Sequence, residues 1–130
     1  MSDPTQTKPL TVLIVEDEVR IRSMLQMLLT TQGYKVITAD TADSGLELAR
    51  QQQPDLVVTD ITMPGKSGID LIKAIRSDSS LAATRILAMT GGSLKAGAEA
   101  DKAGADGFLA KPFRTATILS EVERIIGRPS

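Results

Sequence analysis

Residues 57 to 68 read VVTDITMPGKSG. The β-branched run Val57, Val58, Thr59 ends on a lone carboxylate, Asp60, and the turn residues Pro64 and Gly65 follow. A carboxylate at such a place can act as a nucleophile and form an acyl phosphate. It can equally be an Asp that leaves a strand and caps a loop, so the chemistry depends on partners from elsewhere in the chain. Four other apolar runs end on candidates: LTVLIV (10–15) leads into Glu16, Asp17 and Glu18, RILAMT (85–90) ends on Thr90 before Gly91 and Gly92, and DGFLAK (106–111) delivers Lys111 and then Pro112, while YKVITA (34–39) brings only Ala39 and Asp40. Two carboxylates about 4 Å apart repel by about 4 kcal/mol at an effective dielectric of 20. A domain of this size is stable by only about 5–15 kcal/mol. An acid cluster therefore calls for cations: Lys111 supplies one charge, and a hard divalent ion such as Mg²⁺ suits an all-oxygen site. Phosphoryl transfer needs little more than an in-line nucleophile and neutralised oxygens. Lys binds phosphate as a point charge, and Gly91 and Gly92 place no side chain in a donor's way.

Composition narrows the chemistry further. There is no Cys, which excludes disulfides, thiol catalysis and thiolate metal sites. There is no His, which removes the usual general base, the imidazole ligand and any phosphohistidine on this chain. The net charge of −1 without long runs of one sign gives no support to nucleic-acid or membrane-surface binding. No apolar stretch approaches the roughly 20 residues of a membrane helix, and MSDPTQTKP lacks the apolar core of a signal peptide. With 130 residues and a 42% hydrophobic share, one soluble, cytoplasmic globular domain is expected. It should span residues 10–127, between a flexible N-terminal tail, 1–9, and a short C-terminal tail, 128–130.

The apolar runs are mostly continuous, as strands covered on both faces should be. Helical periods separate them. Residues 19–32 place Ile21, Met24, Leu25 and Leu28 on one stripe, with Gly33 where a C-terminal cap belongs. Residues 42–52 turn Leu46 and Ala49 inward before Pro54. Ser67 is a candidate N-cap for 68–76, whose inward residues are Leu71, Ile72 and Ile75. The last helix carries Ile118, Leu119, Val122, Ile125 and Ile126, then Gly127 and Pro129. Five βα units in strict alternation predict a parallel sheet with helices on both faces. Ligands of such sheets collect beyond the carboxyl ends of the strands, near the topological switch point.

On the segments VEDE, DITMPGKSG, MTGG and FLAKPF the chain resembles the receiver domain of two-component response regulators. The resemblance covers about residues 10 to 127, and the spacings agree: 43 residues from Asp17 to Asp60, 30 from Asp60 to Thr90 and 51 from Asp60 to Lys111. It implies a flavodoxin-like doubly wound (βα)5 fold with strand order 2-1-3-4-5. It also implies that Asp60 is the phosphoacceptor, supplied by a histidine kinase, a phosphotransfer protein or a small acyl phosphate. Mg²⁺ (or Mn²⁺) would be held by Asp17, Asp60 and the backbone carbonyl of Thr62, with Glu16 acting through water. Lys111 would pair with the carboxylate and then with the phosphoryl group. Thr90 and Phe108 would be the switch pair, and the Lys111–Pro112 bond would be cis. The fourth helix, fifth strand and fifth helix would form the face read by a protein target, in a monomer or a phosphorylation-dependent dimer. Such a domain catalyses its own phosphorylation and dephosphorylation and is not expected to turn over an external substrate.

Particular residues shape these expectations. Thr62, two after Asp60, is neither acidic nor an amide and offers no help to an attacking water, so slow self-dephosphorylation is expected. Phe108 stands where a Tyr would add a hydrogen bond. The segment LKAGAEADKAGADG (94–107) has little apolar area to bury, and Gly97 alone costs a helix about 1 kcal/mol. Either the fourth helix is weakly anchored, or its Ala and Gly residues permit close packing. Two other functions compete: an aspartyl-phosphate hydrolase, which usually has an Asp where Thr62 stands, and a docking or flavin-binding module indifferent to Mg²⁺. No DNA-binding helix pair or catalytic module is seen. Output should therefore be a surface for another protein, unless the chain is a receiver cut from a longer one.

Overall fold

The computed structural model describes residues 9–62, 67–91 and 94–129. Among them five strands alternate with five helices: β1 (Thr11–Val15), α1 (Val19–Thr31), β2 (Lys35–Ala39), α2 (Ala42–Gln52), β3 (Leu56–Asp60), α3 (Gly68–Ser77), β4 (Arg85–Thr90), α4 (Leu94–Ala103), β5 (Gly107–Ala110) and α5 (Thr115–Ile126). The turn at Pro64 and Gly65, Gly92, the first eight residues and Ser130 lie outside the described residues. The strands form one parallel sheet in the order β2-β1-β3-β4-β5, a flavodoxin-like arrangement.

Handedness distributes the helices. β1 to β2 steps one way across the sheet, and every later crossover steps the other way. Right-handed crossovers in opposite directions lie on opposite faces. Accordingly α1 covers one face and α2, α3 and α4 the other, while α5 folds back beside α1. The two-residue period of the strands feeds both layers. Leu13, Val15, Val57, Ile86 and Ala88 face α2 to α4, and Val12, Ile14, Leu56, Val58, Leu87 and Met89 face α1 and α5. This double coverage explains the continuous apolar runs of β1, β3 and β4. The edge strands β2 and β5 are less buried. The direction of travel reverses between β1 and β3, so the crevice beyond their carboxyl ends is the switch point.

Local signals set the helix ends. Ser67 caps α3 reciprocally with Asp70, and Thr41 caps α2 with Ser44. Gly33 takes φ +101° just after α1, and its N–H reaches the Thr30 carbonyl at 3.0 Å. One inward assignment fails. Met24 is 38% exposed, while Leu29, absent from the expected stripe, is fully buried with Leu25. The buried line of α1 runs through Leu25 and Leu29, four residues apart, with Ile21 and Leu28 beside it, and Met24 falls about 100° around the helix from Leu25.

Candidate functional site

The carboxyl ends of β1, β3 and β5 bring the expected charges together. Glu16 follows β1 directly and is 0% exposed. Its amide donates to the Ala39 carbonyl on β2 at 3.0 Å, which fixes the backbone where the strand ends. Asp17 is exposed beside it, and Asp60, the last residue of β3, is 5% exposed. Carboxylate oxygens of Glu16, Asp17 and Asp60 lie within 4.8 Å of one another. An octahedral Mg²⁺ spaces neighbouring ligands about 3 Å apart and opposite ones about 4 Å apart. This all-oxygen donor set therefore fits a hard divalent cation after small side-chain adjustments.

Lys111 lies just beyond β5 and bridges two of the acids. Its Nζ donates to Glu16 Oε1 at 2.8 Å and to Asp60 Oδ2 at 3.0 Å. Burial alone would pull the Lys111 pKa down, but the two hydrogen bonds and the two negative charges outweigh it, and the net shift is upward. Glu16 is also lifted above its ordinary value. Burial is the main cause and the Asp60 charge adds to it, against the opposing bonds from Lys111 and the Glu18 amide. The lysine thus offsets only part of what the buried acid costs, and the cluster remains short of positive charge.

The backbone holds Asp60 in place. The Thr62 amide donates to Asp60 Oδ1 at 3.0 Å, and the buried Thr59 hydroxyl donates to the Asp60 carbonyl at 3.0 Å. Thr90 ends β4, 1% exposed, and its carbonyl accepts from the Lys111 amide at 2.6 Å. The Lys111–Pro112 bond is cis, as the resemblance implies. Phe108 pairs with Ala88 across β4 and β5 and is half-buried on the α4 side of the sheet. Gly91 is exposed, and a methyl carbon placed on it would meet nothing within 4 Å. The approach beside Thr90 is thus open without depending on that glycine.

Two contributors carried no assignment from the sequence. Arg22 on α1 reaches back over the β1–α1 turn, donating to the Glu16 carbonyl at 2.9 Å and more weakly to that of Asp17 at 3.5 Å. It holds the loop that bears both acids. The Arg five residues after Asp17, one helical turn into α1, was the available signal. Gly68 starts α3, and a methyl carbon on it would lie 2.2 Å from the Asp60 carbonyl oxygen and 2.6 Å from Ile61 Cα. It closes the quoted segment DITMPGKSG, yet its reason is a contact that only the folded chain reveals.

Comparison with known proteins agrees with this geometry. The family described as "Response regulator receiver domain" matches residues 12–123. Chemotaxis protein CheY-3 of Vibrio cholerae serotype O1 is 35% identical over 123 residues, which are 93% of this chain and 95% of that protein. Transcriptional regulatory protein AfsQ1 of Streptomyces coelicolor is 32% identical over 118 residues, 90% of this chain but 51% of that protein. The chain thus spans about half the length of the transcriptional regulators it matches. Among solved structures, chemotaxis response regulator CheY4 of Vibrio cholerae superposes with a TM-score of 0.86 at 34% identity, covering 91% of this chain and 99% of that one.

Proposed function

The chain belongs to the response regulator receiver domain family, and from that premise we propose that it is a signalling switch operated by phosphorylation of Asp60. The observation that carries this reading is the convergence on one spot of acids from β1 and β3 with the Lys111 ammonium from β5. An Asp60 oxygen attacks the phosphorus of a phosphodonor, either a phosphohistidine on a partner kinase or phosphotransfer protein, or a small acyl phosphate. The new O–P bond forms as the donor's P–N or P–O bond breaks, and the donor leaves with the bonding electron pair. Asp17, Asp60 and the Thr62 carbonyl would hold a divalent cation, Mg²⁺ or Mn²⁺, with Glu16 beside them, and the ion would supply charge neutralisation. Lys111 then exchanges its bond to the Asp60 carboxylate for one to a phosphoryl oxygen.

The switch follows from the same contacts. The Thr90 hydroxyl and Lys111 draw toward the phosphoryl group, which biases α4, β5 and α5 to a second arrangement read by a downstream protein. Moving such an equilibrium from 1:99 to 99:1 takes about 5.5 kcal/mol of differential interaction. No external substrate is turned over, and Thr62 leaves the acyl phosphate to hydrolyse slowly. The near-neutral charge and the lack, among the described residues, of a helix long and apolar enough to cross a membrane support a cytoplasmic protein–protein role.

The test is incubation with acetyl phosphate and Mg²⁺, followed by intact mass and mapping of the modified residue. The wild-type chain should gain the mass of one phosphoryl group on Asp60, and chelation of the metal or the Asp60→Asn substitution should abolish it. Modification elsewhere, or none, overturns the proposal. Steady turnover of phosphate esters would revive the hydrolase reading.

A further inference from the structure

Helix α4 carries a glycine at its centre, where glycine costs about 1 kcal/mol relative to alanine. The structure shows what occupies the space its side chain would take. A methyl carbon on Gly97 would lie 2.9 Å from Cε2, 3.1 Å from Cδ2 and 3.1 Å from Cζ of Phe108. The ring lies against the helix backbone itself. Ala88 is its register partner on β4, and α4 contributes small residues, Ala96, Ala100 and Ala103, to a cluster that also holds Ile72, Ile75 and Ile86. On the same face, α3 buries Leu71, Ile72 and Ile75, whereas α4 has Ala100 as its fully buried residue. Among the described residues, Phe108 is a large side chain of the sheet that lies directly against α4. The ring is only half-buried and stands on an edge strand, so it has somewhere to go if the space closes.

We propose that Gly97 is the positioning residue of the switch. Its missing side chain forms the notch that seats the Phe108 ring, so the ring and α4 must move together. The functional consequence rests on the phosphorylation reading. Lys111, three residues after Phe108, holds Asp60, and Thr90 ends the strand that leads into α4. A pull on either strand end shifts one wall of the seat, and close-packed interiors answer such shifts by discrete repacking, not by gradual deformation. A side chain at position 97 would set the helix and the ring in competition for one volume and uncouple them.

The chain has two phenylalanines and no tryptophan, so ring-labelled [¹³C]phenylalanine gives two spin systems, which Phe113→Leu assigns. In the unphosphorylated wild type, the Phe108 ring protons should show cross-peaks to the Gly97 Hα protons and shielding from a soluble paramagnetic probe. Gly97→Ala should expose the ring to the probe and speed amide exchange over 95–103 by about tenfold, with Asp60 labelling by acetyl phosphate unchanged. In a Phe108→Leu background the same Gly97→Ala change should slow exchange, because only helix propensity is left to act. Opposite signs in the two backgrounds establish the notch. An unmoved ring in Gly97→Ala, or the same sign in both backgrounds, overturns it. Mass measurement on the same samples keeps the two readings apart: an unlabelled wild type defeats the phosphorylation switch, while the seat is still judged from the ring and the exchange data.

Discussion

Lys111 sits between two carboxylates that are nearly without access to water, and a third carboxylate stands at the rim. Two unit charges at 4.8 Å repel by about 3.5 kcal/mol at an effective dielectric of 20, and one ammonium offsets only part of that repulsion. Asp60→Asn removes one of the crowded charges and keeps an oxygen that can still accept from Lys111. Without metal it should raise the melting temperature, by roughly 4 °C for each kcal/mol recovered, while abolishing phosphorylation. Calorimetric melts in chelator measure the effect, and a large fall would show that the Lys111–Asp60 bond outweighs the repulsion. The charged members of this site were legible in the sequence because each one interrupts an apolar run at its end. Arg22 was not assigned, because it acts through backbone carbonyls, and its place five residues after Asp17 is a weak signal taken alone. The sequence likewise did not show that the Phe108 ring lies against Gly97, which favours the close-packed α4 and leaves its anchoring to amide exchange.

A helix is positioned by what its first turn can approach. Gly68 opens α3, and its place against the Asp60 carbonyl leaves no room for a side chain. Propensity alone would favour alanine there by about 1 kcal/mol. The obstructing atoms are backbone, so a methyl group must push either α3 or the end of β3 aside. Overpacking of this kind costs about 1–3 kcal/mol. Gly68→Ala should therefore lower stability by that amount and slow acetyl-phosphate labelling of Asp60, since the displaced backbone carries the proposed phosphoacceptor. Denaturant melts and labelling kinetics report the two effects, and a stabilised variant labelled at the wild-type rate would refute the contact. The elements themselves were readable from apolar runs and caps, with ends shifted by a residue or so. Met24 was misplaced because a stripe drawn at three- and four-residue spacing contains several neighbouring lines, and only packing on the sheet selects one of them.

At the scale of the whole molecule, the fold is closed by contacts between distant parts of the chain. Tyr34, just before β2 and 4% exposed, donates its hydroxyl to the Gly127 carbonyl at 2.9 Å, across 93 residues of sequence. Burial first, and then the charge of Glu123, raises its pKa above the ordinary value near 10. A group raised on folding contributes stability that is present below its unfolded pKa and lost as pH rises through the folded one. It is the single tyrosine in a chain without tryptophan, so tyrosinate absorbance reads it alone. Its midpoint should fall above the value in denaturant, and stability should drop on the alkaline side of pH 10; coincident midpoints would contradict the burial argument. The candidate metal site follows the same logic more strongly. Its carboxylates come from β1 and β3, 43 residues apart between Asp17 and Asp60, and the unfolded chain cannot hold them together. A ligand that binds only the folded state stabilises it by about 2.7 kcal/mol at a hundredfold excess over its Kd. Mg²⁺ should therefore raise the melting temperature of the wild-type chain progressively with concentration, beyond what NaCl of equal ionic strength achieves. Asp17→Asn should lose that response and keep the ordinary salt dependence. Equal Mg²⁺ shifts in both proteins would mean that the ion screens the acid cluster without being bound by it.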